Sequence, residues 1–181
     1  MLALLADAPA HGWALSKELS RTGSVGRVWG VGRPLVYRAL DVLASRELIE
    51  PAGSERGARG PKRELYAATK LGRKELARWL NEPVDHMREV RSLLLLKLVL
   101  LERAGLDRRP LLEAQHRQTA ASVEALEGRL RHSTGTENIL VRFRLETTRS
   151  VVLFIDALLA EGRAATPRRR STPSARLKRR S

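Results

Sequence analysis

Two groups of side chains could do chemistry, and in both the chemistry is recognition of a polyanion. Arg33, Tyr37 and Arg38 share the outer face of one helical segment with Pro34 and Asp41. Further on, Arg56, Arg59, Lys62 and Arg63 surround a loop tip that holds Gly53, Gly57, Gly60 and Pro61. Basic side chains pair with phosphate oxygens, and that pairing supplies affinity which falls with salt. An arginine can also pair bidentately with a guanine edge. Lys17, one helix earlier, joins the same basic set. Either group alone reads equally well as a solvated helix face or a plain turn. Together, in this order and on a chain of net charge +14, they point to double-stranded DNA.

No catalytic or metal constellation competes. The absence of cysteine removes disulfides, thiol catalysis and cysteine-bound zinc. His11, His86, His116 and His132 make no i, i+4 pair with one another, so no metal site is expected. His116 reads as a partly buried polar residue on a helix seam. Nucleophile elbow, P-loop and dinucleotide fingerprints are missing, and neither an enzyme nor a cofactor is implied. The apolar run at 93–101 is broken by Lys97 and is about half the length of a membrane-spanning helix. The apolar start at 1–6 lacks a preceding basic region and does not read as a signal peptide. The expected location is cytoplasmic and nucleoid-associated.

The elements that must position these residues follow from apolar spacing. Aromatics are only 4% of the chain, so the core must be aliphatic, and abundant Leu and Ala favour helix. Residues 1–6 read as a short helix stopped by Pro9, and 11–20 as a second. Leu15 and Leu19 form the core stripe of that second helix, while Trp13 lies off it. A glycine-rich link at 21–32 follows, with a short strand expected around Val28 and Trp29. Pro34 suits the first turn of a third helix, whose buried stripe is Val36, Leu40 and Leu43. Segments 48–52 and 62–68 read as strands of a hairpin around the glycine-rich tip.

Thr69 is the expected N-cap of a helix over 70–81. Asp85 would cap a helix over 87–104, and Asp107 the next one, with Pro110 in its first turn. That helix carries Leu112, His116, Thr119, Val123, Leu126 and Leu130 at coiled-coil-like spacing. After Gly135, a last helix over 137–160 shows a similar stripe with Leu140, Phe143, Thr147, Val151, Phe154 and Leu158. The helix over 93–101 is apolar all round and reads as the centre of a core, as a dimer seam, or as both. Dimerisation is therefore expected to use Leu94, Leu98, Leu101, Leu140, Phe143, Val151, Phe154 and Leu158. Trp29 and Trp79 read as packing residues; if a planar effector binds, an aromatic between the two halves is its natural platform.

The expected fold is mainly α. An N-terminal winged helix-turn-helix, three helices plus a two- or three-stranded wing, spans 1–82 with its linking helix. A helical dimerisation and possible effector domain spans 83–161. A disordered basic tail spans 162–181, with eight Lys or Arg and no acid.

The first half resembles the PadR family of bacterial regulators. Leu2-Ala3-Leu4-Leu5 followed by Pro9-Ala10-His11-Gly12-Trp13-Ala14-Leu15 is similar to the family's opening pattern. Val28-Trp29 with Gly32-Arg33-Pro34-Leu35-Val36-Tyr37-Arg38-Ala39-Leu40 resembles its tryptophan strand and recognition helix. Leu65-Tyr66-Ala67-Ala68-Thr69-Lys70-Leu71-Gly72-Arg73 resembles the segment that closes the wing. Residues 89–98 resemble the entry to its C-terminal domain. The resemblance implies a homodimer whose C-terminal helices pack across a two-fold axis. It implies a pseudo-palindromic operator, repression, and in some members release by a small aromatic effector. Trp13 stands where the family often has tyrosine, Pro34 is unusual at the helix start, and Glu47 stands where glycine commonly ends the recognition helix. The first helix begins at Met1, whereas family members usually carry a few residues before it.

The leading expectation is a sequence-specific, dimeric transcriptional regulator. The alternatives are a sequence-neutral, chromatin-like DNA binder driven by charge and tail, and a membrane-surface helical protein. The lack of a basic amphipathic helix weighs against the last.

Overall fold

The computed structural model describes residues 1–56 and 62–164. Arg59 and residues 165–181 of the expected tail lie outside the described residues, as does the side chain of Arg56. The chain runs α1 (Leu2–Asp7), α2 (Gly12–Glu18), α3 (Arg33–Ser45), β1 (Ile49–Arg56), β2 (Lys62–Ala68) and α4 (Lys70–Asn81). It continues with α5 (Met87–Glu89), a π-helical turn (Val90–Leu94), α6 (Leu95–Arg103), α7 (Arg109–Leu130) and α8 (Gly135–Ala164). The architecture is mainly α, a winged helix-turn-helix followed by helices.

β1 and β2 pair antiparallel. Pro51 faces Tyr66 and Ser54 faces Glu64, so β1 carries one extra residue. Gly53, at φ +116°, absorbs that bulge in a conformation closed to side chains with a Cβ. A third piece joins the root of the wing: Ala10 and Tyr66 exchange both backbone bonds, at 3.0 and 3.1 Å.

Two junctions fix the ends of α3 and α4. The N–H of Leu48 bonds the carbonyl of Leu43, and that of Glu47 bonds Ala44, which closes α3 in a Schellman motif. Glu47 adopts φ 57°, a left-handed conformation that glycine takes freely. Thr69 then serves both elements. Its hydroxyl donates to the Glu47 carbonyl (2.7 Å) and accepts from the Gly72 N–H (2.9 Å), capping α4 as expected. A Cβ on Gly72 would sit 2.0 Å from the Leu48 carbonyl oxygen, so only glycine permits this approach.

One continuous core joins the winged helix to the later helices. It runs from Leu4 and Leu5 through Leu15, Val36 and Ile49 to Leu80, Leu94, Leu101, Leu112 and Ile155. Leu94, Leu98 and Leu101, expected at a dimer interface, are buried inside the chain's own core. They are spent on intrachain packing and present almost no surface to a partner.

Four further expectations are corrected. Val28 and Trp29 form no strand, because both donate to the Val25 carbonyl in successive turns. His86, not Asp85, is the N-cap of α5; Asp85 instead accepts from Gln118 Nε2 at 3.1 Å. The single helix expected over 87–104 is interrupted by a π turn, whose extra residue shifts the apolar register between its two ends. Arg108, not Asp107, is the N-cap of α7; Asp107, one residue before it, accepts from the Arg109 N–H at 2.9 Å. His116 is half-buried and lies 3.2 Å from Asp156.

On α8 the face that packs inward is Val141, Leu145, Thr148 and Ile155. The expected stripe lies elsewhere: Leu140, Phe143 and Phe154 are exposed, while Val151 and Leu158 pack partly against the core. A 22-residue partner helix, α7, can cover only one side of α8.

Because Glu47 pays a left-handed conformation that glycine takes freely, Glu47→Gly should raise stability by about 1 kcal/mol. Urea denaturation of the two proteins tests this. An unchanged or lower midpoint would show that the helix end carries no such strain.

Candidate nucleic-acid interface

α3 projects from the body. Of its thirteen residues only Val36 and Leu40 are buried. Arg33, Pro34, Leu35, Tyr37, Arg38, Asp41, Val42 and Ser45 are all exposed. Its N-cap, Gly32, has no side chain to satisfy the first N–H groups, and its first turn holds no acid. The positive end of the helix dipole is therefore open to an anion.

α2 holds α3 by backbone proximity. A Cβ on Gly12 would lie 2.7 Å from Cε1 of Tyr37 and 3.3 Å from Leu40. The tyrosine ring thus rests on bare backbone, and Tyr37 as a whole is 42% exposed. His11 fixes the start of α2: its Nδ1 accepts from the Ala14 N–H at 3.0 Å. Its Nε2 lies 3.6 Å from a carboxylate oxygen of Glu55 in the wing.

Two arginines are stacked on aromatic rings. The Arg33 guanidinium lies 5.8 Å from the Tyr37 ring, and Arg63 lies 5.1 Å from the Trp13 ring. Stacking restrains each guanidinium while leaving its N–H groups free to bond. Trp13, Arg33, Tyr37, Asp41 and Arg63 converge around one depression of about 380 Å³. Two carboxylates, Asp41 and Glu64, also line it, so it is not uniformly cationic. Glu64 accepts from the Tyr66 hydroxyl at 2.6 Å and raises that phenol's pKa. Lys17, Arg38 and Lys62 are exposed but line no part of this depression.

Trp13 and Leu35 are the additions that the sequence reading missed. Trp13 signals itself by lying off the Leu15 and Leu19 stripe, exposed at 47%. Leu35 signals itself by being apolar where Val36 already fills the core.

A second site lies behind the first. A cavity of about 460 Å³ opens between the winged helix and the helices that follow. Trp29 and Trp79 both line it, with Val25, Leu96 and Leu100, and Glu75 and Arg78 supply its charged groups. Beside it, Lys97 is only 3% exposed. Its ammonium sits 4.8 Å from the Trp79 ring and donates to the Glu82 carbonyl. Burial lowers its pKa below the usual lysine value, against the pull of Glu82, Asp85 and Glu89. Arg103 spans the same junction, bonding Asp7 of α1 (3.1 Å), Glu18 of α2 (3.4 Å) and Ser24 (3.0 Å).

Comparison with known proteins places residues 1–78 on the model of the transcriptional regulator PadR-like family. A probable transcriptional regulator of Mycobacterium tuberculosis is 30% identical over 92 residues. That match covers 51% of this chain and 47% of the relative, so the chain spans about half the length of the curated relative it matches. Two solved structures bear a distant likeness. One is Bacillus subtilis PadR in complex with operator DNA, at 19% identity and TM-score 0.44, covering 88% of this chain and 95% of that one. The other is a Streptococcus mutans protein, at 18% identity and TM-score 0.40 with the same coverage.

Two measurements check the local geometry. Gly12→Ala should cost about 1–3 kcal/mol, because the new methyl displaces the Tyr37 ring. Paired with Tyr37→Ala the losses should not add, and strict additivity would mean that the two residues do not touch. For Lys97 the depressed pKa means that the unfolded chain binds the extra proton. Stability referred to Lys97→Met should therefore rise with pH in the window just below 10.5, the ordinary lysine value. A flat difference between the two proteins would contradict a desolvated ammonium.

Proposed function

We propose, with a PadR-like module at residues 1–78 as the premise, that this protein is a dimeric transcriptional repressor that reads a pseudo-palindromic operator. The observation that carries this reading is α3, a helix with only two buried residues and a face of Arg33, Tyr37 and Arg38. A helix that gives up burial on most of its surface is shaped to enter a groove. Arg33 and Arg38 then pair with base edges or phosphates, and Tyr37 contacts the same strand. Lys62 and Arg63 of the wing, with Lys17, add phosphate contacts that set affinity and its salt dependence.

The dimer is supported by α8. Ile139, Leu140, Phe143, Leu153 and Phe154 leave large apolar side chains in water, with Phe143 71% exposed. Exposed apolar groups at the two ends of one helix face support an association surface. A second copy would cover it and set two α3 helices about one helical turn of DNA apart. The cavity with Trp29 and Trp79 supports a small aromatic effector, since it touches both the winged helix and α6. Among the described residues no helix is long and apolar enough to cross a membrane. Bound to chromosomal DNA, the protein would act in the cytoplasm.

Selection of bound fragments from genomic DNA by the purified protein tests the whole reading. It should return an inverted repeat, and Arg38→Ala should erase the preference for it over random duplex. Fragments enriched without any shared sequence would favour the charge-driven, sequence-neutral alternative. Separately, Phe143→Glu should convert a dimer to a monomer in analytical ultracentrifugation. A dimer that survives this charge would place the interface on another face.

A further inference from the structure

Leu35 has no packing task. Val36 and Leu40 fill the core beneath α3, while Leu35 is 58% exposed in the helix's first turn. Val42, seven residues on, lies along the same edge and is 41% exposed. The two make an apolar edge beside Arg38, on a helix whose other exposed face is polar. A solvated helix face ordinarily carries charged or polar residues there. The first turn is also the part of a recognition helix that comes closest to base edges. The apolar feature that a major groove offers is the 5-methyl group of thymine.

We propose that Leu35 is a specificity-determining residue that buries the methyl group of one thymine in each half-site. The inference rests on the DNA-reading role proposed above and assigns part of it to an uncharged side chain. Arginines fix position and guanines; Leu35 discriminates thymine from cytosine, which lacks the methyl group. Val42 extends the edge toward the next base pair.

The test uses the full-length protein and the operator duplex recovered by selection. Each thymine of one half-site is replaced in turn by uracil, which removes only the methyl group. Binding is read by fluorescence anisotropy. At one position the wild-type protein should bind about four-fold more weakly, the ratio that burial of one methyl group supports. Leu35→Ala should bind the unmodified operator more weakly and show no difference between thymine and uracil there. Leu35→Met, which keeps an apolar side chain, should retain the difference. Because Leu35 is exposed, both variants should melt like the wild type. Indifference of the wild type to every uracil overturns the inference, as does Leu35→Ala that stays as sensitive as the wild type. A wild type that selects no preferred sequence overturns the DNA-reading role itself and the inference with it.

Discussion

The helix proposed to read DNA, α3, must be held firmly while leaving most of its surface unburied, and the rest of this structure depends on meeting that constraint. α3 has two buried side chains, Val36 and Leu40, so the hydrophobic hold on it is small. Backbone proximity makes up the difference. Gly12 lets α2 meet the Tyr37 ring directly, and Gly72 lets α4 meet the Leu48 carbonyl. Thr69 bonds the end of α3 with its donor and the start of α4 with its acceptor. Each contact works only because a side chain is absent or short. They hold α3 without covering its outer face.

The same logic links the two halves. A core continuous from Leu4 to Ile155 packs the winged helix against the helices that follow. Arg103 adds polar bonds from α6 to α1, α2 and the link between α2 and α3. The cavity between Trp29 and Trp79 sits at this junction, next to the buried Lys97. A ligand there would press on the link that leads into α3. A shift of that link would move Arg33, the physical route by which the proposed effector would alter the proposed DNA contact.

Much of this was legible in the amino-acid sequence because local rules decide it. Thr69 as a cap, the hairpin around its glycines and the Val36–Leu40 stripe depend on neighbours within a turn. The errors lie where distant partners decide. Val28 and Trp29 have β-prone side chains, but turn bonds to Val25 use their N–H groups. Asp85 was free to cap a helix until Gln118, more than thirty residues away, took its carboxylate. On α8, two apolar faces compete for the same spacing, and only the packing of α7 reveals that Val141, Leu145 and Ile155 turn inward. Trp13 and Leu35 were hard to read for a related reason: their only local sign is to lie off the stripes of Leu15, Leu19 and Val36, and exposure itself is a tertiary property.

The central claim is that the outer face of α3 lies in a DNA groove, twice per operator. The chain has no cysteine, so Ser45→Cys offers one attachment point, on the exposed end of α3, for an iron–EDTA group. Cleavage of bound operator DNA should fall in two patches related by symmetry, about one helical turn apart. Cleavage spread evenly along the duplex, or none under conditions of full binding, would contradict the account.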